Sequence, residues 1–344
     1  MVQIFIAWTA YIRRPESMKE RFGFSLYFLP QLLKQRALKP IGYLINGYKS
    51  LRLMGKTRPN VLWIQLAPVF LLYSALFYRR FFDKTLCIVA DCHNGMFYPI
   101  WMKLPGTIRL LNSCDLVLVH NDRIKEKALA LGVSEDRLHV LETRPALIDC
   151  GSVMCKAEKL SYSPPWILMP CSFDWDEPLR EVLDAARLMP EIHLIISGDP
   201  ARAKGVHDLS QIPDNVVLPG FLSRQEYNDH LCQAHAVMGL TTQDDVQLSV
   251  ANEAVGAEKA MVISDTKLLR KLFDKGAIYV DTLDPESIAA GCRKALRDHE
   301  ILAVDVRLLQ QQKIQRWEKQ AENTAMKIRS IVSENRNGHK QQSH

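Results

Sequence analysis

Glycine and proline are scarce in this chain, at 16 and 17 of 344 residues, while 47% of its residues are apolar. That balance excludes collagen-like, low-complexity and disordered organisation. It leaves enough apolar material for two cores of ordinary size. The eight cysteines (Cys87, Cys92, Cys114, Cys150, Cys155, Cys171, Cys232, Cys292) include no Cys-x-x-Cys pair, and no His stands at finger spacing. Zinc binding is therefore not expected, and the thiols read as reduced in a cytoplasmic setting. No apolar run reaches the ~20 residues of a membrane-spanning helix. The longest, Val61–Tyr78, is broken by Gln65, Pro68 and Ser74 and closed by Arg79 and Arg80, so a buried strand followed by an apolar helix is expected there. Met1–Ile12 carries no basic lead and no small-residue cleavage site, and reads as a first strand rather than a signal peptide.

Acidic residues are missing altogether between Glu20 and Asp83, a span that holds ten Lys and Arg. Residues 1–150 carry 21 basic and 11 acidic residues, a balance of +10, whereas residues 151–344 carry 23 and 27, a balance of −4. A basic, apolar-rich block of this kind points to phosphates, on an anionic membrane surface or on nucleic acid. No aromatic–basic interleaved motif or helix-turn-helix signal accompanies it, so nucleic acid is not an expected partner. Lys34, Arg36, Lys49 and Arg52 lie on or beside a predicted helix over 32–54 and are expected to face an anionic leaflet, each contributing about 1 kcal/mol there.

Short apolar runs alternate with periodic segments throughout, the pattern of βα units around a parallel sheet. The first half predicts strands at Gln3–Trp8, Ser25–Phe28, Asn60–Leu66, Thr85–Ala90, Leu116–His120 and His139–Glu142, with helices between them. Residues 149–165 are polar and end in Ser163-Pro164-Pro165, which reads as a linker. The pattern then restarts at Trp166 and runs through six more strands and their helices to about residue 309. One long helical pattern follows at Ile301–Val332, with a polar tail at Asn335–His344 expected to lie free. The chain thus divides into 1–148, 149–165 and 166–309, with a helix over 310–334 packing back on the first domain.

Two α/β sheets in succession leave a cleft at the carboxyl ends of their strands, where such sheets place ligands. Neither Ala7-Trp8-Thr9 nor Met169-Pro170-Cys171 supplies the Gly-x-Gly-x-x-Gly of a dinucleotide site, and no Walker Gly-Lys-Ser/Thr loop occurs. The segment Thr241–Gly256 follows a strand and opens a helix, whose first-turn amides and positive dipole end suit phosphate oxygens. Glu253, about one turn further, can accept hydrogen bonds from ribose hydroxyls. In the first half, the strand at Thr85–Ala90 ends in Asp91-Cys92-His93-Asn94-Gly95. His93 there suits proton transfer, with Asp91 orienting it or acting as the base. Asp174-Trp175-Asp176 spells a metal signature, but helix capping before Pro178 is the simpler expectation.

Four segments carry a resemblance. Ala90–Gly95 resembles the Asp-Trp-His-Asn-Tyr-Gly loop of the β-1,4-mannosyltransferases that extend dolichol-linked chitobiose, Val140–Ala146 their Tyr-Asp-Arg/Lys-Pro hinge, Pro170–Glu177 their Ser/Thr-rich loop, and Leu240–Gly256 their donor helix. Asp245-x7-Glu253 is similar to the acidic pair of GT-B donor sites. Cys92 replaces their Trp, and the Pro and Lys of their doner loop are absent between Asp245 and Val250. The resemblance implies an α/β GT-B fold: two Rossmann-like domains facing a central cleft, with a C-terminal helix crossing back to the first. It implies a metal-independent, cofactor-free transfer of a sugar from a UDP- or GDP-sugar to a lipid-linked saccharide, peripheral to the cytoplasmic face of a membrane. Ser172, Gly220, Phe221, Asp245, Asn252, Glu253 and Arg144 would hold the donor, and His93 and Asp91 would face the reacting sugar. A non-catalytic subunit of a membrane-associated complex and a sugar epimerase on the same fold are the alternatives, and inversion or retention stays open.

Overall fold

A computed structural model describes residues 1–33, 35–92, 94–145, 148–154, 160, 162 and 164–341. They form two compact units, one made of 1–144 and 315–344, the other of 145–314.

The first unit is built on six parallel strands: β1 (Gln3–Ala7), β2 (Ser25–Phe28), β3 (Val61–Leu66), β4 (Cys87–Cys92), β5 (Leu116–Val119) and β6 (Leu138–Val140), in spatial order β2-β1-β3-β4-β5-β6. A parallel sheet is covered on both faces and demands nearly continuous apolar runs. β3 and β4 meet that demand, buried along their whole length. Successive side chains alternate between two clusters: Ile4, Ile6, Leu62 and Ile64 pack on one face, Phe5, Ala7, Val61 and Trp63 on the other.

The second unit repeats the scheme with β7 (Trp166–Pro170), β8 (His193–Ser197), β9 (Val216–Gly220), β10 (Ala236–Gly239), β11 (Ala260–Ser264) and β12 (Ala277–Val280), all parallel, in the order β12-β11-β10-β7-β8-β9. The order reverses between β7 and β10, the place where open α/β sheets open a crevice for ligands.

Three local expectations change. The helix placed at 32–54 starts at Lys39 and ends at Thr57, because Pro40 is tolerated only in a first turn. The segment read as a linker contains a short helix, Cys150–Met154, and Cys150 is bonded to Cys232, so these two cysteines are not the free thiols expected. Eighty-two residues separate them, a spacing that carries no pairing signal. The last helix runs from His299 to Gln341 and takes in residues 335–341 of the segment expected as a free tail, with Asn335 Nδ2 donating to the Thr85 carbonyl (3.4 Å). Val306 and Leu309 of this helix belong to the core of the second unit, and Trp317, Ala321, Ile328 and Val332 to the first.

Candidate functional site

In the second unit the crevice is framed by the loops leaving β7 and β10. The first, Cys171–Glu177, is folded around one carboxylate: Glu177 accepts from the amides of Ser172 (3.0 Å) and Asp174 (2.9 Å) and from the Cys171 thiol (3.4 Å). Burial, then the Glu177 charge, pushes the Cys171 thiol well above its ordinary range, so it remains a neutral donor. Phe173, buried, sits at a φ of 57°. Ser172 stays exposed at the rim of this turn. Cys171 N–H donates to Ser197 O (2.7 Å) and Gly198 N–H to Gly220 O (3.0 Å), which draws the ends of β7, β8 and β9 together.

Asp176 does not cap the helix that follows, as the sequence suggested. That helix, Leu179–Leu188, has no side-chain cap, and Asp176 instead accepts from the Thr241 hydroxyl (2.8 Å) and, through its carbonyl, from Thr242 N–H (2.8 Å). Asp174 is engaged by Arg202 (2.8 Å). The sequence rule failed because a partner on β10's loop competes for the same oxygen. Its consequence is useful: Asp176 ties the two loops across the strand-order reversal.

The β10 loop leads into the helix Ser249–Gly256, whose N-cap position, Leu248, offers no side-chain acceptor. Its first amides are therefore unclaimed by a capping side chain. The helix lies tight on the sheet, since a Cβ on Gly239 would stand 2.3 Å from Val250 Cγ1. Asn252 is buried, with Oδ1 lacking a hydrogen-bond partner. Glu253 is half-buried and accepts from the Tyr227 hydroxyl. Tyr227 stands on the helix Arg224–Gln233, which opens on a Ser223/Glu226 capping box just after Gly220 and the exposed Phe221. Ser172, Phe221 and Asp245 therefore stand on loops, Gly220 ends β9, and Asn252 and Glu253 lie about one turn into Ser249–Gly256, all toward the carboxyl ends of one sheet. Tyr227, Asp176 and Gly198 complete that arrangement. Of these only Asp176 stood out in the sequence, and there for a different reason.

The first unit sets Asp91, expected to face the reacting sugar, in a buried ion pair. Asp91, at the end of β4, is 1% exposed and holds the Arg14 guanidinium through Nε (3.0 and 3.2 Å) and Nη2 (3.0 Å). His120 Nε2 lies 3.4 Å from the same carboxylate. Burial raises its pKa, but Arg14 and His120 outweigh it and hold the carboxyl well below the usual range. A carboxylate so stabilised and shielded is a poor proton acceptor. Arg14 spends its remaining donors on the carbonyls of Leu141 and Glu142 (both 2.8 Å), fixing the chain as it leaves β6. The expected partner His93 lies outside the described residues.

Arg144 is the residue expected to hold the donor from the hinge. It belongs to the first unit, 3.5 Å from Glu318 and stacked over Trp317 at 5.1 Å, and so fastens the last helix. Lys49 and Arg52 are exposed on the helix Lys39–Thr57, whereas Lys34 and the Arg36 side chain lie outside what is described.

The two parallel six-stranded sheets, with a final helix shared by both units, give the chain a GT-B fold. Solved structures similar to it over nearly the whole length are glycosyl-transferring enzymes and relatives. Anabaena HepE, in complex with UDP and glucose, matches with a TM-score of 0.70 and 12% identity, covering 96% of this chain and 100% of that one. Sucrose-phosphate synthase from Thermosynechococcus elongatus matches at 0.70 and 12%, covering 97% and 100%. A UDP-forming α,α-trehalose-phosphate synthase from Burkholderia xenovorans, solved with glucose-6-phosphate, matches at 0.69 and 13%, covering 96% and 100%. No protein-family model and no curated protein matches the sequence.

Proposed function

We propose that this chain is a glycosyltransferase that moves a sugar from a UDP- or GDP-sugar to a saccharide carried on a membrane lipid. The observation that carries the reading is the helix Ser249–Gly256. It opens without a side-chain cap at the strand-order reversal of the second sheet and presents a carboxylate, Glu253, one turn in. Its amides and positive end suit a diphosphate, and Glu253 suits paired ribose hydroxyls. Phe221, 83% exposed, offers a face for the base. The similar HepE structure holds UDP and glucose, which supports a nucleotide sugar as the donor. In the reaction the bond from the sugar's anomeric carbon to the diphosphate breaks and a bond to an acceptor hydroxyl forms. The leaving charge is met by backbone amides, so no metal or other cofactor is required. The proton acceptor for that hydroxyl is left to a residue other than Asp91, which is engaged by Arg14.

Titration calorimetry with UDP, GDP and their hexose conjugates tests the donor. One base is expected to bind, and saturation at 100 times its Kd should stabilise the protein by about 2.7 kcal/mol. Glu253→Gln should weaken that binding about tenfold, the effect of a lost charge-assisted hydrogen bond. Tyr227→Phe, which leaves the carboxylate in place, should cost only a few-fold. If no nucleotide binds, or Glu253→Gln transfers sugar like the native chain, the assignment is wrong.

A further inference from the structure

The helices Lys39–Thr57 and Phe70–Phe81 of the first unit lie side by side. Their seam is marked by the Tyr43 and Phe70 rings at 4.7 Å, by Gly47 against Ser74, and by the Tyr78 hydroxyl donating to Met54 O (3.2 Å). Helical geometry sets residues 44, 48 and 52 in one i,i+4 stripe flanking position 47 of the first helix, and 73, 77 and 81 in one flanking 74 of the second. Both stripes therefore turn outward along the same seam. The first stripe is Leu44 (74% exposed), Tyr48 (66%) and Arg52; the second is Tyr73, Phe77 and Phe81 (66%). Phe82, 68% exposed, continues the second past the helix end, within 6.2 Å of the Phe77 ring.

Large side chains this exposed and this contiguous are not needed for the fold, whose two clusters lie on the faces of the sheet. The charges beside them are mostly basic, with Asp83, directly after Phe82, the one acid at the edge of the stripe. Arg80 lies over the Phe81 ring at 5.8 Å, and the chain has no acid from Arg21 to Phe82. Aromatic rings and aliphatic side chains bordered by Arg are the make-up of a surface that seats at a lipid interface, rings among the acyl chains and guanidinium groups at the phosphates. Two copies joined through this face would bring like charges together, and an acidic protein partner would leave the leucine and phenylalanine stripe without a reason. Among the described residues no helix is long and apolar enough to cross a membrane.

We infer that the outer flank of these two helices docks on an anionic bilayer by inserting Leu44, Tyr48, Phe77 and Phe81. This extends the lipid-borne acceptor proposed above and rests on that reading for its purpose, while its geometry stands on other residues. It also relocates the contact. Of the basic residues expected there, Arg52 lies on the stripe and Lys49 falls about 100° round the helix from Tyr48, so the inserted rings and Leu44 do most of the holding.

The test is flotation of the full chain with vesicles of equal parts phosphatidylcholine and phosphatidylglycerol, against phosphatidylcholine alone. The native chain should float with the mixed vesicles, and Leu44→Ser with Phe81→Ser should lower the bound-to-free ratio at least tenfold. Arg52→Glu with Arg80→Glu should do so less, and only on the mixed vesicles. Nucleotide binding should be unchanged in both variants, which shows them folded. Undiminished flotation of the Leu44/Phe81 variant, equal binding to both vesicle types, or loss of a dimer or of oligonucleotide binding in that variant would overturn the inference. A chain that floats but binds no nucleotide overturns the proposed reaction alone; one that binds nucleotide but does not float overturns the docking surface alone.

Discussion

Asp91→Asn should lower the stability of the first unit by about 3–5 kcal/mol, the effect of removing one partner from a buried ion pair. The asparagine keeps the shape but leaves the guanidinium of Arg14, itself only 6% exposed, without its counter-charge. Against a total of about 5–15 kcal/mol for an ordinary domain, that is a large share. Urea unfolding followed through Trp63 and Trp317, both buried in the first unit, reads it directly. Arg14→Met combined with Asp91→Leu should recover only part of the loss: the packed apolar pair carries no stranded charge, but the Leu141 and Glu142 carbonyls lose their donor. The pH dependence has a fixed sign. A carboxyl held below its unfolded value contributes in full above about pH 4 and progressively less below it. The native chain should thus lose stability on the acid side, and Asp91→Asn should flatten that limb. An Asn variant as stable as the native chain would show that the pair is not closed in solution.

Gly198→Ala should disable the crevice of the second unit. At this glycine, with φ of 145°, an added Cβ would stand 2.0 Å from the Cys171 carbonyl oxygen and 3.0 Å from the Phe173 ring. Backbone strain and overpacking together come to about 3 kcal/mol, or roughly a hundredfold in an equilibrium constant. Because what must move is the Cys171–Glu177 loop itself, nucleotide affinity should fall by about that factor. Gly205→Ala is the control: its φ of 79° is also positive, but nothing lies within 4 Å of the added carbon. It should cost about 1 kcal/mol of stability and leave affinity alone. Equal affinities in both variants would remove the loop from the binding surface.

Much of this arrangement was legible as sequence, for identifiable reasons. Strands such as Val61–Leu66 and Ala260–Ser264 are continuous apolar runs that a parallel sheet requires, and their boundaries survive almost unchanged. The segment Thr241–Gly256 was readable because strand, loop and helix follow one another without interruption. Arg14 was not: it joins Asp91, 77 residues away, through a pairing that leaves no local periodicity. Tyr227 and Glu253 meet across 26 residues for the same reason. Asp91 and Arg144 show the complementary case. Their residue types suited chemistry, but burial and the last helix supplied partners that sequence order conceals.

That helix imposes a schedule on synthesis. The second unit is one unbroken stretch, 145–314, and holds all its own strands. The first cannot finish when its last strand leaves the ribosome, because Trp317, Ala321, Ile328 and Val332 fill the cluster around Phe22 and Trp63. At about 5–20 residues per second, that apolar sheet face waits, uncovered, while the whole second unit is made. The part of the protein born first is the part completed last, and chaperone demand should fall on it.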